Sequence, residues 1–178
     1  MRLIFRITIW TVVLLILFAA LEFIGIFSIT EAFRCLAVRH AVLSALDDAS
    51  SVQVIEHSCR FDTVETLNDL NFKETVYATV TLTPKQIEDL RASLPLSFDF
   101  HGGILKCIFQ EHHRIEIKQR DGTTTTLHLC LHCDQLYLND KYKYDGTMPP
   151  AWPASLRQFI ASLGLHPDGP WDKNPEKN

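Results

Sequence analysis

Residues 113–133, HRIEIKQRDGTTTTLHLCLHC, decide the fold. Apolar and polar residues alternate on both sides of Arg120-Asp121-Gly122, the pattern of two half-buried strands joined by a tight turn. The pairing register follows, because a slip of one residue moves every side chain to the other face. A two-residue Asp121-Gly122 loop sets Ile115 opposite His128 and Ile117 opposite Thr126, mixing apolar with polar. A three-residue loop with a left-handed Gly122 and a bulge sets Ile115 opposite Leu127, His113 opposite Leu129 and Arg114 opposite His128. The sequence favours the second register, which also makes His112 and Cys130 neighbours.

That neighbourhood yields a candidate site. Cys133 lies just past Cys130, and Cys107 stands on the stretch before His112, so the spacing is Cys107-x4-His112-x17-Cys130-x2-Cys133. Zinc takes four soft or borderline ligands in a tetrahedron, and a C-x2-C turn supplies two of them. Zinc is therefore the ion this set would take, with His113 able to replace His112. Only one C-x2-C occurs, whereas zinc ribbons carry two. Plainer readings compete: a Cys107–Cys130 disulfide, a small buried Cys130, or histidines facing solvent. Thioredoxin-like chemistry needs a helix starting at the motif; here Asp134-Gln135-Leu136-Tyr137-Leu138 continues as strand. Asp134 also stands where haem attachment requires His.

Upstream, ETVYATVTLTPKQIEDLRASLP (residues 74–95) changes period from two to 3.6. Val76, Ala78, Val80 and Leu82 alternate as a strand. Thr83 then caps a helix with Pro84 at its first position and Gln86 closing the capping box. Ile87, Leu90 and Leu94 are its buried stripe, and Pro95 ends it. A second helix is predicted at about residues 153–163, with Gly164 left-handed after it. Between them lies a strand-rich block, roughly residues 96–138, with a turn or bulge at Gly102-Gly103. An earlier strand near residues 52–57 joins the same sheet. The fold class is α+β, an antiparallel sheet with helices on one face.

The N-terminus sets location. ITIWTVVLLILFAAL (residues 7–21) has no charge, and after Glu22 the chain stays apolar to Ile29. About 20 such residues cross a bilayer core. A span of residues 3–25 puts Glu22 near one interface and leaves Arg6 to snorkel at the other. The run is too long for a cleaved signal, and Phe18 or Ile26 would stand where cleavage wants a small residue. Arg2 and Arg6 on one flank and Arg34 and Arg39 on the other nearly balance. A short N-terminal flank makes a cytoplasmic N-terminus and an extracytoplasmic remainder, periplasmic in a bacterium, the default. Thr30 reads as the cap of a following helix with Cys35, Val38, Val42 and Leu46 on one face. A long N-terminal helix before a small β domain resembles the type IV pilins in outline only, and the resemblance fails at the start, where their processing Gly before the apolar run and the Glu five residues into it are missing.

The organisation read from the sequence is an anchor over residues 1–29, a juxtamembrane helix over 30–50, an α+β domain over 51–165 and a loose polar tail over 166–178. The chain carries 17 basic and 21 acidic residues, and the part beyond the anchor is acidic, which argues against nucleic acid. Five cysteines allow at most two bridges. No G-x-S-x-G, H-E-x-x-H or phosphate-binding glycine loop is present. These features predict a single-pass, signal-anchored, non-catalytic binding or accessory domain. Its partners would be the bilayer and a protein at the membrane surface. The alternative is a thiol- or metal-dependent enzyme centred on Cys107, His112, Cys130 and Cys133.

Overall fold

A computed structural model describes residues 2–23, 29–96, 108–139 and 145–169. The chain begins with α1 (Arg2–Phe23) and α2 (Ile29–Asp47), and β1 (Ala49–His57) follows almost at once. Then come α3 (Val64–Asn68), β2 (Val76–Thr81), α4 (Pro84–Ala92), β3 (His113–Gln119) and β4 (Thr124–Cys130). β5 (Gln135–Leu138), β6 (Asp145–Thr147) and α5 (Trp152–Ser162) complete it. The strands form one antiparallel sheet in the order β2-β1-β3-β4-β5-β6. The α+β architecture is thus the one the alternation and capping signals imply.

The central hairpin has the three-residue loop and the favoured register: His113 pairs with Leu129, Arg114 with His128 and Ile115 with Leu127. Gly122 has φ +88°, and the loop closes through Gln119 N–H to the Thr123 carbonyl at 2.8 Å. Because neighbours on a strand point to opposite faces, the pairing sorts the sheet into two surfaces. One carries Val52, Val54, Ile115, Ile117, Leu127, Leu129, Leu136 and Leu138, all buried in a single core. At about 25 cal/mol per Å² of apolar area removed from water, this face is the main source of stability.

The helices supply the other wall of that core. α2 lies across β1, β3 and β4, inserting Cys35, Val38, Val42, Ala45 and Leu46. Leu90 and Leu94 enter from α4 and its C-terminal turn, and Trp152, Leu156, Phe159 and Ile160 from α5. Polar ties fix the helices to one another. Arg39 Nε donates to the Leu94 carbonyl at 2.8 Å, Trp152 Nε1 to the Pro95 carbonyl at 2.9 Å, and Ser155 Oγ to the Ser93 carbonyl at 2.6 Å. The capping box of α4 forms as read, with Thr83 and Gln86 bonding reciprocally.

Several boundaries differ from the sequence reading. α2 starts at Ile29, so Thr30 lies inside the helix rather than capping it. His166, given to the tail, is held by the buried Glu56, whose carboxylate accepts from the His166 backbone N–H at 3.0 Å and the ring Nδ1 at 3.2 Å. Gly102-Gly103 and the expected strands around them lie outside the described residues. Among the described residues no helix is long and apolar enough to cross a membrane. α1 runs for 22 residues, and the side chains described in it are those of 8–17, 19 and 20. All of these are exposed, the large apolar ones of residues 9–17 by 46–67%.

Candidate functional site

The second sheet surface is polar. Register places Gln53, Ile55 and His57 of β1, Arg114 and Glu116 of β3, Thr126 and His128 of β4 and Tyr137 of β5 on it. Two connecting segments fold over one end of this face. Residues 58–75 leave β1 and return to β2, closed at the base where Ser58 N–H donates to the Thr75 carbonyl and Thr75 N–H to Ser58 Oγ, both at 2.8 Å. Residues 108–112 approach β3 across β4 and β5, with Phe109 edge-on to Tyr137 at 4.2 Å between centroids.

Where the segments meet, titratable groups converge. Glu111 Oε1 accepts from His128 Nδ1 at 2.7 Å and from His57 Nε2 at 3.2 Å. The His57 Nδ1 side faces the Ser58 carbonyl at 3.0 Å and Glu74 at 3.3 Å. Glu74 in turn takes both guanidinium nitrogens of Arg114, at 2.9 and 2.7 Å, a bidentate fork. Burial pushes the Glu111 carboxyl up, but the hydrogen bonds from His128 and His57 outweigh it and hold the group at about 2. Burial pulls His57 down, and its bond to Glu111 leads the interactions that outweigh this and raise it. One residue along from His112, burial and then the His112 charge push His113, on the core face, down to about 3.

Beside this network is a second group. His112 Nε2 donates to Asp62 Oδ1 at 2.6 Å, with the imidazole 6% and the carboxylate 5% exposed. The other carboxylate oxygen accepts from Cys59 N–H at 2.7 Å, and Asp62 N–H donates back to the Cys59 carbonyl at 3.1 Å. One ligand atom each from Cys59, Asp62 and His112 lie within 4.8 Å of one another, the one such set of three or more His, Cys, Asp and Glu among the described residues. Burial, reinforced by the Asp62 charge, pushes the Cys59 thiol up.

The four residues singled out from the sequence fare differently. His112 is at the centre of the site, but its nearest partner is Asp62. Cys130 is a buried free thiol at the end of β4, and burial pushes it up as well. Cys133 is disulfide-bonded, and its sulfur is therefore not a thiolate ligand. Cys107 lies outside the described residues. Of the plainer readings, Cys130 is thus the small buried residue and not half of a bridge, and Cys130-x2-Cys133 leads through the turn between β4 and β5. That turn is held instead by Arg157, whose Nη2 reaches the Leu131 carbonyl and, at 2.7 Å, Asp134.

Sequence reasoning missed Cys59, Asp62, Glu111 and Glu74. Cys59-x2-Asp62 directly after a strand was the available signal, yet nothing local ties it to His112 fifty positions on. Elsewhere, the groove between α4 and α5, about 340 Å³ and lined by Ser93, Ser155, Gln158 and Ser162, gathers only Asp89 as a titratable group. No known family, curated protein or solved structure matches the chain.

Proposed function

We propose that this chain is a single-pass membrane protein whose α+β domain is a non-catalytic binding or accessory module, acting on a protein partner at the membrane surface. The observation that carries the reading is the exposure of α1. Residues 8–17 make nearly three helical turns, and every one of their side chains is exposed. A helix docked on its own domain would bury one stripe. Leaving large apolar chains half in water costs about 1 kcal/mol or more each, which a bilayer would remove. At 1.5 Å per residue, 22 residues extend about 33 Å, close to the thickness of a hydrocarbon core. The proposed span, residues 3–25, is drawn from the sequence and extends beyond the described side chains.

A cytoplasmic N-terminus and extracytoplasmic domain are proposed with it, supported by the short N-terminal flank and by a disulfide at Cys133, which persists in oxidising compartments. The acidic domain does not favour nucleic acid as its partner. Protease added to sealed vesicles of known sidedness tests the arrangement. Right-side-out vesicles should lose the domain and keep a short protected N-terminal fragment, while inside-out vesicles keep the chain whole. Absence of any protected fragment would overturn the reading.

A further inference from the structure

We propose that Cys59, Asp62 and His112 form a binding site for one zinc-class divalent ion. The proposal does not depend on the membrane reading. Cys59-x2-Asp62 is a knuckle of the kind that supplies two zinc ligands from one turn, and its shape is already fixed by two bonds, Cys59 N–H to the Asp62 carboxylate and Asp62 N–H to the Cys59 carbonyl. His112 comes from the residue just before β3, so the ligands come from two segments of chain that the ion would join. Sulfur, oxygen and nitrogen donors together are a borderline set, suited to zinc or cobalt rather than to magnesium or calcium, which take oxygen.

The distances need little adjustment. Ligands at about 2.0–2.1 Å on a tetrahedral ion stand roughly 3.3 Å apart. The Asp62–His112 pair, now 2.6 Å apart, would open by less than an ångström as its shared proton leaves. Cys59 has to approach by no more than roughly 1.2 Å, given the 4.8 Å bound and a zinc–sulfur distance near 2.3 Å. The second oxygen of Asp62 stays on the Cys59 backbone N–H, the kind of outer hydrogen bond that orients a metal-bound carboxylate. Three ligands from the described residues leave the fourth tetrahedral position to another donor. In this role the ion pins the 58–75 segment to the sheet.

Cobalt titration of the full-length chain in detergent, purified without reductant and stripped by chelator, tests the site. One Co²⁺ per chain should bind with the absorption of a tetrahedral ion and a thiolate-to-cobalt charge-transfer band, and Zn²⁺ should displace it one for one. Cys59→Ser should abolish the charge-transfer band and weaken Zn²⁺ binding by roughly a hundredfold or more, since even outer-shell losses cost 10–100-fold. The double variant Cys35→Ser/Cys130→Ser, which leaves Cys59 in place, should keep the band, and this arm holds even if Cys59→Ser misfolds. A wild-type chain with no charge-transfer band, a band that survives in folded Cys59→Ser, or a band lost in the folded double variant would overturn the assignment.

Discussion

Gly122 illustrates how one residue carries a structural decision. Its φ of +88° belongs to the left-handed region, and an added Cβ would meet nothing within 4 Å. The cost of Gly122→Ala is therefore conformational alone, about 1 kcal/mol, and should appear as a lower urea midpoint with an unchanged slope. Glu111 makes a pH-dependent contribution. Its carboxyl is held at about 2 in the fold against an ordinary 4.5, so the unfolded chain binds its proton first. The stabilisation is complete above an ordinary carboxyl's 4.5 and is lost as the pH falls toward 2. In metal-free protein, the stability gap between wild type and Glu111→Gln should shrink over that window; a gap constant with pH would contradict it. At this scale the sequence was half legible. His112 was singled out by the register that sets it beside Cys130, but its partner Asp62 is fifty positions away on a segment without periodicity, and only folding brings them together.

Elements were far easier to read, because their signals are local. The β3–β4 register followed from matching Ile115 and Leu129 to one face, and the start of α4 from Thr83, Pro84 and Gln86. Thr83→Ala should cost α4 its cap and the molecule about 1 kcal/mol, measured by equilibrium unfolding. The three-residue β6 and five-residue α3 were not foreseen, since neither is long enough to show a period. The C-x2-C at the end of β4 was ambiguous for a related reason. Spacing alone does not distinguish a ligand knuckle from a tight β-turn, and here Cys130 belongs to the strand, Asp134 adopts φ 52° and Arg157 clamps the turn. The zinc-type spacing that the structure does assemble, Cys59-x2-Asp62, has a carboxylate at its second position and so escapes a search for paired thiols.

For the molecule as a whole, one bridged sulfur and three unbridged thiols among the described residues are a mapping prediction. Alkylation of the denatured, unreduced chain should modify Cys35, Cys59 and Cys130, with Cys133 modified only after reduction. In the native state Cys35 and Cys130 are buried and should resist the reagent. Two faces of one sheet divide the labour: the apolar face with α2, α4 and α5 makes the core, and the polar face carries the histidine–carboxylate network under two crossing segments. In α1 every described side chain is exposed. Alkaline carbonate extraction of membranes holding the full-length chain tests most directly the proposal that α1 lies in a bilayer. The chain should stay in the pellet, and a chain starting at Thr30 should move to the supernatant; release of the full-length protein by carbonate would contradict the claim.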